Sequence, residues 1–230
     1  MLQSPEERPM RLIPILLAAA AVAACQPQPK AADTAKPAAA AKAPASDAPA
    51  GEYTADPAHT SLNFRISHMG LSHYTARFTK VDAKLQFDPA NPAGQSVAAT
   101  IDANSLQTNY PDPAKLNFDA QLEKEFLETA KFPVITFKST KVEPTGPATA
   151  RITGDLTLHG VTKPVTLEAT FNGGYKAGGM DPMGARIGFS GHGTFKRSDF
   201  GIAYGLPAPG SNFGVGDDIE VVIESEFTKK

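Results

Sequence analysis

Cysteine occurs once in this chain of 230 residues, at Cys25. An intrachain disulfide is therefore excluded, and the fold must be stabilised by an ordinary hydrophobic core. Charge is balanced as well: 22 Lys and Arg stand against 24 Asp and Glu, for a net charge of -2, and neither sign forms a long run. Because nucleic-acid binding requires a basic patch, we expect no nucleic-acid partner.

Motifs of nucleophilic and metal-dependent catalysis are also missing. The sequence has no Gly-x-Ser-x-Gly, no His-Glu-x-x-His and no phosphate loop. His59, His68 and His73 do not converge on one metal by their spacing. The sequence therefore predicts neither an enzyme nor a metal site.

The main apolar run, residues 12–24, ends in small residues and is too short to span a bilayer. We interpret residues 1–24 as a signal peptide. Translation from Met10 fits this assignment better than translation from Met1, because Met10 and Arg11 directly precede the run whereas residues 1–9 carry two acids. Beyond this leader no segment is apolar enough to cross a membrane.

Val22-Ala-Ala-Cys25 resembles the lipobox of bacterial lipoproteins, in which the Cys thiol receives a diacylglyceryl group and the Cys becomes the mature N-terminus. The resemblance implies that Cys25 is lipidated and that the protein lies in the periplasm, anchored to the outer membrane. A soluble periplasmic or secreted protein is the alternative, since Ala21-Val-Ala23 also fits an A-x-A cleavage site.

Residues 25–50 are rich in Ala and Pro and, after Cys25, contain no Val, Ile, Leu, Phe or Tyr. Such a segment cannot build a core, and its prolines favour extended conformations, so we interpret it as a semi-rigid tether. Residues 51–230 have the length of one domain with a sizeable core.

Alternation of apolar and polar residues dominates this domain and is typical of strands with one buried and one solvated face. Between Phe78 and Val81 the apolar phase slips by one residue, which predicts a bulge that bends the strand. The predicted strands are residues 61–68, 81–88, 95–101, 135–139, 151–158, 165–171, 186–190, 193–196 and 218–224. Many short strands with turns between them predict an all-β, mainly antiparallel sandwich or barrel.

Residues 118–130 follow a different period, with Phe118, Leu122, Phe126 and Ala130 four residues apart. This spacing predicts one short helix, which Asp119 can cap and which Pro133 ends. A single helix of this kind could plug or cover one end of a barrel.

Several segments resemble the YceI-like family of bacterial envelope proteins. The most specific of them is Leu156-Thr-Leu-His-Gly-Val-Thr-Lys-Pro164. The resemblance extends from Tyr53 to about Phe227 and includes residues 53–56, 59–64, 68–70, 78–88, 126–139, 154–167, 188–189 and 196–201.

This resemblance implies a lipocalin-like eight-stranded barrel, with the short helix near one end. It also implies an elongated apolar cavity that binds a polyisoprenoid lipid, an isoprenoid quinone such as ubiquinone or a related long-chain amphiphile. An eight-stranded barrel is just wide enough to be filled by side chains or to hold one slender ligand.

The strand alternation supplies candidates for the residues that face inward and contact such a ligand. The same residues could instead pack a dry core, because inward apolar side chains look alike in both cases. The candidates are Leu62, Phe64, Ile66, Leu85, Phe87, Ile101, Ile135, Phe137, Leu156, Leu158, Phe189 and Phe195, together with His68.

His68 shares the parity of Leu62 and Phe64, so we expect its imidazole to point inward, where burial requires a hydrogen-bond partner. Two interpretations stay open: a contact with a ligand headgroup at the mouth, or a satisfied histidine that closes the barrel end. His159 precedes Gly160 in a turn, and we expect it to make a solvent or backbone contact.

The chain departs from the family before the helix. Many relatives have Arg-Asp-x-His-Leu there, whereas this chain has Phe118 and Gln121 at the Arg and His positions. Headgroup contacts of that basic pair are therefore not carried over, and a less polar or differently shaped headgroup stays open. Arg197 and Asp199 are further polar candidates, although such a pair is more often a solvated strand edge.

Three classes of function follow. The first is a periplasmic lipid-binding protein that stores, transports or protects a polyisoprenoid. The second is a structural or adhesive surface lipoprotein with a filled core, and an enzyme is the third. The oligomeric state, including a homodimer, is left open by the sequence.

Overall fold

The computed structural model describes residues 44–178, 181–182 and 184–230. The predicted signal peptide, Cys25 and most of the predicted tether lie outside the described residues. Within them, no helix has the length and hydropathy needed to cross a membrane.

Strands account for most of the described chain, as the alternation predicts. They are β1 (Gly51–His68), β2 (Ser72–Phe78), β3 (Val81–Phe87), β4 (Ser96–Asp102), β5 (Leu106–Gln107), β6 (Val134–Pro144), β7 (Thr149–Leu158), β8 (Val161–Tyr175), β9 (Ala185–Lys196) and β10 (Val215–Lys229), with one α-helix, α1 (Phe118–Glu125).

The sheet closes into a ring of eight antiparallel strands in the order β1, β3, β4, β6, β7, β8, β9 and β10. The pairing of β10 with β1 closes the ring and runs from Thr54 opposite Thr228 to His68 opposite Val215. The predicted all-β, mainly antiparallel eight-stranded barrel with one helix is confirmed.

The interruption between β2 and β3 falls where the apolar phase slips. β3 pairs with the first part of β1, and β2 pairs with the last part, from Leu62 opposite Phe78 onward. At the break, the Thr79 amide donates to the Ser105 carbonyl at 3.0 Å and the Lys80 amide donates to the Ser105 hydroxyl at 3.1 Å. β2 and β3 together thus take the place of one long, bent strand beside β1, and β5 pairs with β2.

The barrel has two distinct ends. One, the tether end, holds the first residues of β1 and the last of β8. Here Ser46 pairs with Gly174, the Lys176 amide donates to Asp47 Oδ1 at 3.0 Å, and Ala48 is buried. The structure therefore places residues 44–50, assigned to the tether from the sequence, against the barrel.

The other end, the helix end, holds α1, the turn between β1 and β2 and the loop at residues 201–214. α1 is shorter than predicted and its cap differs: the Asn117 side chain accepts a hydrogen bond from the Ala120 amide at 3.1 Å. Asp119, the predicted cap, instead accepts hydrogen bonds from the amide and the hydroxyl of Thr108. The helix ends at Glu125, and Glu128, with φ of 45°, lies in a turn beyond it.

Two clusters of buried apolar side chains form the core. The cluster at the tether end consists of Ala48, Tyr53, Ala55, Ala83, Leu85, Phe87, Ala185, Ile187 and Phe227. The cluster toward the helix end consists of Ile101, Ala103, Ile135, Phe137, Leu156, Leu158, Val165, Phe200 and Ile202.

Candidate functional site: an apolar cavity through the barrel

The barrel interior holds a cavity of about 910 Å³. Inward-facing side chains of β1, β3, β4 and β6 to β10 form its walls. Leu122 of α1 and Phe126, the residue that follows α1, border it at the helix end. At the tether end it reaches exposed residues such as Pro89 and Pro147. The cavity thus runs lengthwise through the barrel rather than forming a shallow pocket on its surface.

All thirteen residues predicted to face a ligand line this cavity: Leu62, Phe64, Ile66, His68, Leu85, Phe87, Ile101, Ile135, Phe137, Leu156, Leu158, Phe189 and Phe195. The parity argument succeeds for them because each belongs to a strand with one wet and one enclosed face. That these side chains contact a ligand stays a prediction.

The sequence analysis did not assign the residues of β10 that face inward. Ile219, Val221 and Ile223 line the cavity, opposite Ile66, Phe64 and Leu62 of β1. The adjacent pair Val221-Val222 makes the alternation ambiguous when β10 is considered alone. The acids Asp218, Glu220 and Glu224 share the other parity, and this was the signal that could have assigned the inward face.

Small residues make the cavity wide at one level. Ala150, Ala169 and Gly191 lie opposite one another on β7, β8 and β9, followed by Ile223 on β10. All of them line the cavity. A Cβ atom at Gly191 would meet Ile223 Cβ at 3.6 Å, an ordinary van der Waals distance, so a side chain could be added at this position without a clash of its Cβ.

His68 lies at the helix end of the cavity and is exposed. Its place in the lining agrees with the expected inward side of β1, but the residue is exposed rather than buried, because β1 ends here. The position agrees with the interpretation that places His68 at the mouth, although a headgroup contact stays a prediction.

Arg197, a polar candidate from the sequence, does not lie at a solvated strand edge, the alternative considered for it. Its side chain is only 3% exposed and lines the cavity. Its guanidinium donates to the carbonyls of Ile202, Tyr204, Val215 and Gly216 at 2.8–2.9 Å. Burial lowers the pKa of this guanidinium, and backbone carbonyl dipoles rather than a contacting carboxylate compensate its charge. Asp199 is exposed.

The remaining histidines lie away from the cavity walls. His159 Nδ1 is 3.1 Å from the Phe200 carbonyl oxygen, in agreement with the expected backbone contact. His59 lies on the outer surface, 2.8 Å from Asp56, in a group that also includes Glu226.

That surface group has the donor types of a cation site, but Arg186 already supplies a cation to it. Arg186 Nη1 lies 2.6 Å from Asp56 Oδ2 and 2.9 Å from Glu226 Oε2, and its Nε lies 3.0 Å from Asp181 Oδ2. The hydrogen bond from Arg186, followed by that from His59, holds the pKa of the Asp56 carboxyl well below its usual range. The hydrogen bond to Asp56 in turn raises the pKa of His59.

Similar proteins agree with this fold. A UPF0312 protein of Vibrio cholerae is 40% identical over 156 residues, which cover 66% of this chain and 78% of the relative. The crystal structure of Burkholderia cenocepacia BcnA matches with a TM-score of 0.61 at 25% identity, over 75% of this chain and 98% of that one.

A domain from Saccharophagus degradans, described as a polyisoprenoid binding domain implicated in plant cell wall breakdown, shares the fold. Its TM-score is 0.55 at 17% identity, over 79% of this chain and all of that one. The family model of the YceI-like domain matches residues 53–227, from the first buried aromatic of β1 to the last of β10. The chain therefore belongs to the YceI-like family.

Proposed function

We propose that this protein holds a polyisoprenoid lipid, such as an isoprenoid quinone, in the barrel cavity and stores, carries or protects it in the periplasm. The observation that carries the proposal is the apolar cavity of about 910 Å³ that runs lengthwise through the barrel. Its size lies within the range of about 300–1,000 Å³ that is typical of ligand pockets.

The size of the cavity argues against the alternative of a filled core. The protein's own side chains leave about 910 Å³ of the barrel interior unfilled, and this space reaches exposed residues at both ends. Water or a ligand must therefore occupy it. Water in an apolar cavity lacks hydrogen-bond partners, so an apolar ligand is favoured.

The shape favours a long, slender ligand. The walls are strands that run lengthwise, and the groups at the two ends of the cavity differ. Apolar side chains dominate the middle. His68, Tyr74, Tyr110 and Arg197 border the helix end, and the smaller polar side chains of Ser46, Gln95 and Thr149 border the tether end. A flexible polyprenyl tail that lies in the middle, with its polar group at one of the two ends, matches this distribution. The polyisoprenoid binding described for the Saccharophagus degradans domain supports the proposal at the level of the fold.

A pair of substitutions on β9 tests the proposal. Gly191 lines the cavity, whereas Gly188 faces outward, where a Cβ atom would meet Asn172 Cβ at 3.7 Å. We expect the organic extract of the purified wild-type protein to contain a polyisoprenoid by mass spectrometry. Gly191→Leu should lower the amount severalfold by filling the cavity, and Gly188→Leu should leave it unchanged.

Absence of any polyisoprenoid from the wild-type extract would contradict the proposal, as would an equal loss in both variants. Thermal melts of both variants provide the control for folding, because a side chain added on either face can also perturb β9.

We further propose that Cys25 carries the lipid anchor of an outer-membrane lipoprotein facing the periplasm. Val22-Ala-Ala-Cys25 supports this, since stable membrane attachment needs more than one acyl chain and a processed lipoprotein N-terminus supplies several. Cys25→Ser should move the protein from the membrane fraction to the soluble fraction of broken cells. A wild-type protein that is already soluble would favour plain secretion.

A further inference from the structure

Large apolar side chains are exposed mainly at the helix end of the barrel. Leu71 is 88% exposed, Phe213 is 77% exposed and Tyr204 is 67% exposed. Among the described residues, Leu116 and Val134 are also exposed at this end, whereas only Tyr175 is a large exposed apolar residue at the tether end. We call Leu71, Tyr204 and Phe213 the apolar rim.

Backbone hydrogen bonds hold the apolar rim in place. The Met69 amide donates to the Gly214 carbonyl at 2.7 Å, which fixes the turn bearing Leu71 beside the loop bearing Phe213. The Val215 amide donates to the Gly205 carbonyl at 2.8 Å and closes that loop. Arg197 binds the carbonyls of Tyr204 and Val215 from inside. The rim is thus a preorganised surface, which lowers the entropy lost on binding.

The apolar rim is continuous with the helix end of the cavity. Leu71 follows His68 in the same turn, and its amide donates to the His68 carbonyl at 3.0 Å. The Tyr204 ring packs on Phe126 with 5.1 Å between centroids. His68, Phe126 and Val215 all line the cavity. A surface that covers the rim would therefore also cover this opening.

We infer that the apolar rim inserts into the surface of a phospholipid bilayer and places the helix end of the cavity against the lipid phase. Exposed apolar side chains grouped on neighbouring segments mark an interaction surface, and a membrane accepts them without a complementary shape. The choice of a bilayer over a second copy of the chain rests partly on the proposed function, because a polyisoprenoid resides in membranes and must leave one to enter the cavity.

The chain that precedes the described residues is long enough for this arrangement. It joins the barrel at Pro44, at the tether end, and 18 residues separate Pro44 from Cys25. Fully extended, 18 residues reach at most about 65 Å. β1 has 18 residues, about 59 Å along the strand, and a barrel tilt of about 35–45° reduces this to about 45 Å along the axis. An anchor at Cys25 thus permits the opposite end to reach the same membrane.

Flotation with vesicles of phosphatidylethanolamine and phosphatidylglycerol tests the inference. Residues 40–230 are suited to it because the barrel ring and both core clusters close within this compact unit and the anchor is absent. We expect this unit to float with the vesicles at low and at high salt, since burial of apolar surface is not screened. The Leu71→Ser/Phe213→Ser double variant should lose about tenfold or more of the bound fraction.

Tyr175→Ser, an exposed aromatic at the tether end, is the matched control and should float like the wild type. Equilibrium binding of a short-chain quinone should be the same in the double variant and the wild type, whereas uptake of a long-chain quinone from vesicles should slow. Failure of the wild type to float while it still carries a polyisoprenoid would overturn the inference and leave the proposed function intact.

If the wild type binds vesicles but holds no ligand in its cavity, the result would support membrane insertion of the apolar rim and contradict the proposed function. Size-exclusion chromatography with light scattering tests for a dimer. If the wild type is a dimer that does not bind vesicles, and the rim substitutions convert it to a monomer, the surface belongs to a second copy of the chain and the inference is overturned.

Discussion

Two arginines of this barrel are shielded from water in different ways. Arg197 is surrounded by backbone carbonyls and binds a loop to the helix end, whereas Arg186 is surrounded by carboxylates from β1, β10 and the segment before β9. Residues 56–59 break the register of β1 with β10, and this irregularity brings Asp56 to Arg186. Arg186 therefore fixes a bulged part of the strand that closes the barrel.

Replacement of Arg186 tests this role. Its side chain is 18% exposed, so Arg186→Gln leaves partly buried carboxylates without their cation and should lower the free energy of unfolding by about 2–3 kcal/mol near neutral pH. Arg65→Gln is the matched control, because Arg65 pairs with Glu220 at an exposed position and such pairs contribute about 0–1 kcal/mol. Urea denaturation of the three proteins measures the differences.

The dependence of the free energy of unfolding on pH has a definite sign for this cluster. The folded-state pKa of Asp56 lies below its unfolded value, so its stabilisation is present above about pH 4 and is lost as the pH falls toward the folded pKa. The pKa of His59 is raised, so its contribution is present below about pH 6.5 and is lost as the pH rises. The deficit of Arg186→Gln should therefore persist from about pH 7 to about pH 4 and shrink as the pH falls further. A deficit independent of pH would contradict the ion-pair explanation.

At the scale of elements, periodicity predicted the strands well because one physical condition applies to nearly all of them. Each strand has one face toward the cavity and one toward water, so alternation along β1, β3, β7 and β9 gives the inward residues directly. β10 follows the same rule, but Val222 faces outward opposite Asn63 and adds an apolar residue to the wet face. A single outward valine was enough to obscure the parity.

The sequence predictions that proved wrong depend on tertiary contacts, which no local sequence pattern contains. Asp119 has the chemistry of a helix cap, but its carboxylate accepts a hydrogen bond from Thr108, eleven residues earlier. Asn117 caps the helix instead. Arg197 has the sequence context of a surface residue, but the loop at 201–214 and the start of β10 enclose it, and each supplies two carbonyls. The closure of β1 on β10 joins residues more than 140 positions apart, and here the family resemblance, not the alternation, predicted a closed barrel.

For the whole molecule, the barrel ring, the tether and the apolar rim form a consistent arrangement. Stability comes from clusters of buried side chains toward each end, while smaller residues on β7, β8 and β9 widen the interior. An interior that is not filled by its own side chains suits a ligand whose length can vary, because the ligand adjusts along the barrel axis rather than to a fixed outline.

This arrangement makes binding depend on tail length in a specific way. At constant headgroup, affinity should rise with each added isoprene unit that still fits, because burial of apolar carbon contributes up to about 0.8 kcal/mol per CH₂ before the cost of ordering the tail. The rise should stop when the tail fills the cavity or emerges from its mouth. Titration of the delipidated protein with a quinone series that differs only in isoprene number, followed by fluorescence quenching or calorimetry, measures the curve.

The β9 variants sharpen this test. Gly191→Leu narrows the cavity at the level of Ala150 and Ala169, so its plateau should be reached at a shorter tail than in the wild type. Gly188→Leu, on the outer face, should keep the wild-type curve. Affinity that does not change with tail length in the wild type would contradict a ligand lying along the barrel. A plateau at the same tail length in both variants would instead indicate that the tail does not lie beside β9, since of the two glycines only Gly191 faces the cavity.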